Sequence, residues 1–120
     1  MATTTLGQDN FEATIKDNEI VLVDFWASWC GPCKMFAPIY EKASEANSDI
    51  VFGSVDTEAE RALSAAAGIS SIPTLMAFKD GSLVFAQPGA LPASALDELI
   101  SAVRALDIEA ARKEAAAAQQ

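Results

Sequence analysis

The chain has 120 residues, 51% of them hydrophobic, and eight basic against seventeen acidic side chains give it a formal charge of −9. That length and apolar content suit one domain with a sizeable core, and the negative balance argues against nucleic acid or anionic lipid as partners, because their phosphates would be repelled. No stretch approaches the roughly 18 consecutive apolar residues of a membrane helix, and Met1 to Asn10 lacks the charged-then-apolar order of an export signal, so the expected location is the cytoplasm.

Asp9 is placed to cap a helix over Phe11 to Asp17, with Glu12 in a capping-box position and Phe11 and Ile15 directed inward. Ile20-Val21-Leu22-Val23 and Phe25-Trp26-Ala27 then form a nearly unbroken apolar run, the mark of a parallel strand covered on both faces. From Pro32 to about Ala46, Met35, Phe36, Ile39, Tyr40 and Ala43 recur at helical spacing. Pro32 suits the first turn of that helix, whereas Pro38 falls inside it and predicts a kink. Ile50 to Val55 is a second parallel strand, and Thr57 and Glu60 form another capping box for an alanine-rich helix over Glu58 to Ala67, closed by Gly68.

Thr74 to Lys79 and Leu83 to Ala86 are short antiparallel strands joined by Asp80-Gly81, a dipeptide suited to the positive φ of a tight hairpin. The last helix starts near Pro92, with Leu96, Leu99, Ile100, Val103 and Leu106 as its buried stripe. Residues 1–107 therefore read as one α/β domain. Ile108 to Gln120 is an alanine-rich C-terminal tail, able to be helical but with little to bury and expected to fray.

The chemistry lies in Trp29-Cys30-Gly31-Pro32-Cys33-Lys34, at the junction of the first strand and the proline-started helix. A thiol at a helix N-terminus faces unpaired backbone N–H groups and the positive end of the helix dipole, so Cys30 should form a thiolate at neutral pH. Cys33, three residues on, lies on the same face and close enough to bond to it, with Pro32 stiffening the loop. The same spacing serves as half of a zinc site, but this chain has no histidine and no other cysteine, so a metal would need a second subunit. An inert structural disulfide is the other bland reading, and it fits poorly with a reducing compartment. Asp24 interrupts the apolar strand; burial without a partner should raise its pKa, and it is either a structural carboxylate turned to a backbone donor or a working acid. Trp26 reads as core packing near the cysteines. Lys34 is either an exposed helix lysine or a cation that favours the thiolate.

Val23-Asp24-Phe25-Trp26-Ala27-Ser28-Trp29-Cys30-Gly31-Pro32-Cys33-Lys34 closely resembles the active-site strand, loop and helix of the thioredoxin family, and Ile72-Pro73-Thr74 and Gly89-Ala90 match it in order and at similar distances. The resemblance runs from about Leu6 to Leu106. It implies the thioredoxin fold, an α/β architecture with a central mixed five-stranded sheet and helices on both faces. It also implies a protein-disulfide reductase cycling between a Cys30/Cys33 dithiol and an internal disulfide. Cys30 would be the exposed nucleophile and Cys33 the buried resolving cysteine, with Asp24 the buried acid/base that helps deprotonate it. Pro73 is expected in the cis form against the sulfurs, and Ile72 should offer backbone hydrogen bonds to an extended client. Trp29, Gly31, Pro32, Ile72, Gly89 and Ala90 would form the apolar client-binding rim.

No Gly-rich nucleotide-binding signature is present. The resemblance implies no bound cofactor and no metal, with electrons from NADPH arriving through a separate flavin-dependent thioredoxin reductase. The expected partners are that reductase and disulfide-containing client proteins, and the chain is expected to be a monomer. Disulfide oxidase or isomerase action is disfavoured by Gly31-Pro32 and by the location. A redox-independent binding subunit of the same fold is the alternative from another class, and it leaves the intact cysteine pair without a purpose. One departure from the family stands out. Phe52 occupies a position where the family commonly has a lysine near the buried aspartate, so Asp24 should be more reluctant to ionise here.

Overall fold

The computed structural model describes residues 2–118, with side chains through Glu114; Gln119 and Gln120, the end of the expected tail, lie outside the described residues. The elements are β1 (Thr3–Thr5), α1 (Phe11–Asp17), β2 (Ile20–Trp26), α2 (Gly31–Ala46), β3 (Val51–Asp56), α3 (Arg61–Ala66), β4 (Thr74–Lys79), β5 (Ser82–Pro88), α4 (Ala93–Ala105) and α5 (Ile108–Ala118). The sheet order is β1-β3-β2-β4-β5, with β1, β3 and β2 parallel and β4 and β5 antiparallel. Among the described residues no helix is long and apolar enough to cross a membrane.

Successive side chains of a strand point to opposite faces, and β2 uses both. Val21, Val23 and Phe25 join Leu6, Ile15, Val55 and Met76 on one side, where Phe11 and Leu63 bring α1 and α3 onto the sheet. Leu22 joins Phe36, Tyr40, Phe52, Leu75, Leu96 and Ile100 on the other side, beneath α2 and α4. Every residue from Ile20 to Phe25 is buried, which accounts for the unbroken apolar run. Asp24 has the parity of Leu22 and so faces the α2 layer, with Ser54 and Leu75 as its cross-strand neighbours.

Several expectations are corrected in detail. Asn10, not Asp9, occupies the N-cap of α1, and its Oδ1 accepts from Gly7 N at 2.7 Å. α3 starts only at Arg61, because Asp56 Oδ1 takes the Glu58 N–H at 2.9 Å while the Thr57 hydroxyl donates to the Trp26 carbonyl at 3.0 Å. The preceding tetrapeptide is thus a turn and not a capping box. Pro38 lies inside α2, as expected, within the span Gly31–Ala46. The hairpin turn has φ of 50° at Asp80 and 82° at Gly81, the positive pair that a tight two-residue loop requires. β1 has no signal in its three threonines; it forms because β3 presents a free edge, with Thr4 opposite Gly53.

The segment after Asp107 is helical and attached at its start. Ile108 is buried, and Arg112 Nη2 donates to Ser82 Oγ at 2.7 Å on the β4–β5 hairpin. Beneath it Lys79 is 6% exposed, and its Nζ donates to the carbonyls of Val103, Arg104 and Leu106 at 2.9, 2.9 and 2.7 Å. A cation there satisfies carbonyls that the end of α4 leaves without helical partners and sits at the negative end of its dipole. Lys79→Met keeps the stem and removes the three donors, so it is expected to lower the free energy of unfolding by about 1 to 3 kcal/mol. Urea titration should show this as a lower midpoint at unchanged slope.

Candidate active site

β2 ends where the Trp26 carbonyl accepts from Thr57 N at 2.9 Å. The chain then turns, with Cys30 N donating to the Ala27 carbonyl at 3.2 Å, and Cys30 becomes the N-cap of α2 in an extended conformation. Its Sγ accepts from Cys33 N at 3.2 Å, the bond an N-cap side chain makes to the first turn. Cys30 and Cys33 are joined as a disulfide with their Cα atoms 5.2 Å apart. Both residues are 4% exposed, so the expected contrast between an exposed Cys30 and a buried Cys33 is absent. Ala27, Trp26 and Ile72 pack around the pair and account for the cover over Cys30.

What differs between the cysteines is what each faces. Cys30 Sγ lies 3.8 Å from the Ile72 carbonyl oxygen, at the rim. The Ile72–Pro73 peptide bond is cis and Pro73 is buried, and the Pro73 carbonyl accepts from Gly89 N at 2.7 Å. Gly89 has φ of 104°, a conformation that favours glycine, so the loop carrying Gly89 and Ala90 is fixed beside the start of β4. Gly31, Pro32, Gly89 and Ala90 are exposed and Ile72 is half-buried. Trp29 is 67% exposed, yet its Nε1 donates to Glu58 Oε1 at 2.8 Å, and Glu58 Oε2 accepts from Arg61 Nη2 at 3.0 Å. Sequence reasoning missed Glu58, since nothing local marks a carboxylate that bonds 29 residues away.

Cys33 instead shares a cavity of about 390 Å³ with Asp24, walled by Trp26, Tyr40, Lys34 and Glu41. Asp24 is 5% exposed and its Oδ1 has no hydrogen-bond partner among the described residues. Burial pushes its pKa from 3.8 up to about 7. The Tyr40 hydroxyl donates to the Gly53 carbonyl at 2.7 Å, and its pKa is driven well above the ordinary value by burial and then by the charge of Asp24. Phe52 is fully buried and packs edge-on against Tyr40, with ring centroids 5.2 Å apart, so an aromatic pair stands on the Asp24 face of the sheet.

The thioredoxin family model matches residues 2–102. The chain belongs to the thioredoxin family. It is similar to a putative thioredoxin 2 of Streptomyces coelicolor, at 59% identity over 119 residues covering 99% of this chain and 88% of that protein. Among solved structures, a Plasmodium falciparum thioredoxin superposes with a TM-score of 0.77 at 40% identity, covering 82% of this chain and 97% of the other. Thioredoxin f from spinach chloroplast superposes at 0.79 with 34% identity, covering 87% and 95%. The mixed five-stranded sheet is the thioredoxin fold, and a thioredoxin with its cysteine pair intact and bonded is a thiol–disulfide oxidoreductase that reduces protein disulfides. The binding-subunit alternative is not favoured, since it gives the pair no purpose.

The raised pKa of Asp24 has a thermodynamic consequence for this thioredoxin. Between pH 3.8 and about 7 the folded state holds a proton that the unfolded chain has lost, so stability falls as pH rises through that window and stays reduced above it. A shift of that size corresponds to about 4 kcal/mol. Asp24→Asn is expected to raise the free energy of unfolding by about 2 to 4 kcal/mol at pH 8 and to give no gain near pH 4. Urea titration of the oxidised protein at both pH values checks this, and an equal gain at both would assign the effect to packing.

Proposed function

We propose that Cys30 is the attacking nucleophile, Cys33 the resolving cysteine and Asp24 the acid/base for the Cys33 proton, in a cytoplasmic protein-disulfide reductase. The observation that carries the assignment is the different surroundings of two equally buried sulfurs. Cys30 Sγ receives the Cys33 N–H at the α2 N-terminus and lies beside the Ile72 carbonyl, whereas Cys33 shares its cavity with Asp24.

In the reduced protein the same N–H and helix dipole stabilise the Cys30 thiolate. It attacks one sulfur of a client disulfide, the client S–S bond breaks, and one client sulfur leaves as a thiolate, producing a mixed disulfide. The Cys33 thiol gives its proton to the Asp24 carboxylate across the cavity, and the resulting thiolate attacks Cys30 Sγ. The second client sulfur leaves, and the enzyme is left with the Cys30–Cys33 disulfide. A carboxyl titrating at about 7 can accept that proton and return it at neutral pH.

Trp29, Gly31, Pro32, Ile72, Gly89 and Ala90 form the client rim, and Ile72 offers its backbone to an extended segment. The reductant is NADPH through a separate flavin-dependent thioredoxin reductase, with no cofactor held by this chain, which works as a monomer on disulfide-containing client proteins. Residues 1–107 carry the activity, and the segment 108–120 is an appendage the chemistry does not need.

Cys30→Ser is expected to abolish reduction of insulin disulfides, while Cys33→Ser keeps the first step and accumulates a mixed disulfide on Cys30; retained activity in Cys30→Ser would sink the mechanism. Asp24→Asn should slow resolution of the mixed disulfide roughly ten- to hundredfold at pH 7 and remove the rise in its rate through that pH. A chain ended after Asp107 should keep insulin reduction and lose about 1 to 2 kcal/mol of stability with the Ile108 contact.

A further inference from the structure

A second concavity adjoins the dithiol. It has a volume of about 330 Å³ and lies between α3 and the segment before β4, lined by Trp29, Arg61, Ser64, Ile69, Ser71 and Ile72 among others. Trp29 immediately precedes Cys30, and the Ile72 carbonyl is 3.8 Å from Cys30 Sγ, so two of the residues that line the groove flank the reacting sulfur. An extended client advances about 3.3 Å per residue and turns alternate side chains to one side. A client residue close to the attacked cysteine is therefore within reach of this groove.

The walls are apolar at Trp29, Ile69 and Ile72, and the Glu58 carboxylate holds the indole in place, so the wall exists before a client arrives. Among the described residues, Arg61 is the single charged one that lines the groove. The nearby carboxylates each accept at least one hydrogen bond. Both oxygens of Glu58 are taken by Trp29 Nε1 and Arg61 Nη2, Asp56 Oδ1 accepts from Glu58 N and Ala59 N, and Glu60 Oε1 accepts from Gln8 N.

The Arg61 side chain is 80% exposed and spends Nη2 and Nε on Glu58, leaving Nη1 without a partner among the described residues. A guanidinium carries five N–H donors and matches a carboxylate fork. The unpartnered Nη1 of Arg61, beside a preformed apolar wall, fits an anionic acceptor.

We propose that this groove receives an aspartate or glutamate side chain near the target cysteine of the client, with Arg61 as the residue that selects it. The proposal rests on the reductase reading above and names the class of client that reading serves best. It runs against the overall charge of −9, which draws cationic clients in general. The two influences differ in reach. The overall field acts alike wherever a charge stands in a short peptide, whereas the groove acts on one position.

The experiment uses the full chain and short disulfide-linked peptides carrying a single Glu, Gln or Lys at each of three positions on either side of the target cysteine, with kcat/KM measured for each. At one position Glu should exceed Gln by about two- to fivefold, the range an exposed ion pair supports, with Lys below Gln. Arg61→Gln should level the three there and Arg61→Glu should invert their order. A change acting through Glu58 on the posture of Trp29 would move all peptides together and leave those ratios intact. Equal ratios at every position, a position-independent preference for Lys, or ratios unchanged by Arg61→Gln would each overturn the proposal while leaving reduction in place. Failure to reduce any peptide would instead overturn the reductase reading.

Discussion

Everything in this protein is arranged around a strand that is wet on neither face. β2 sits between parallel β3 and antiparallel β4, with α1 and α3 on one side and α2 and α4 on the other. Its backbone donors and acceptors are taken by two neighbouring ladders, and its side chains by two cores. A strand so constrained can hold one side chain that pays for its place. Asp24 is that residue, and its neighbours give its Oδ1 no donor. The same strand ends at Trp26, where bonds from Thr57 fix the point from which the chain turns into Cys30. The buried carboxyl lies on this strand and the dithiol follows its end by one hydrogen-bonded turn, so Asp24 and Cys33 line a common cavity.

The parts that were legible in the sequence are those whose cause is local. The apolar run of β2, the two positive φ residues of the hairpin and the helix-starting Cys30-Gly31-Pro32-Cys33 each carry their reason within a few residues. The parts that were not legible depend on a partner distant in the chain. β1 is a strand only because β3 has an edge beside it. Lys79 ends β4, and its burial follows from three carbonyls at the end of α4, far along the chain. Ile108 reads as an isolated apolar residue in a polar, alanine-rich segment until the fold gives it somewhere to pack. At the site the resemblance supplied a contrast in cysteine exposure that the packing of Trp26, Ala27 and Ile72 removes. Glu58 was invisible, because its role is a contact with an indole across the turn.

The electrostatics of Asp24 turn on what stands near it. Desolvation raises a carboxyl pKa, and a nearby cation is the usual means of offsetting that effect. On this face the side chains are Leu22, Phe36, Tyr40, Phe52 and Leu75, and the phenol of Tyr40 spends its proton on the Gly53 carbonyl. Burial is accordingly the cause of the shift to about 7. Lys34 and Glu41 line the same cavity and bring opposite charges to it. The aromatic pair therefore does two things at once. It fills the core beneath α2, and it keeps the medium around Asp24 apolar, in keeping with a carboxyl pKa pushed up to about 7 by burial.

Equal burial of the two cysteines sharpens what distinguishes nucleophile from resolver. Exposure cannot decide it, since both are covered to the same degree in the disulfide form. In the proposed mechanism direction decides it instead. The N–H of Cys33 points at Cys30 Sγ, and in a reduced protein that bond favours charge on Cys30 alone. Cys33 has the cavity and a carboxyl with which to exchange a proton, so it can remain a neutral thiol until a mixed disulfide needs resolving. A thiolate held by the helix and a thiol held in reserve by a partly protonated aspartate are complementary requirements. One would fail without the other: two thiolates at 5.2 Å Cα separation would repel, and two thiols would leave nothing to attack the client. The instability that Asp24 brings to the fold is the physical counterpart of that division of labour.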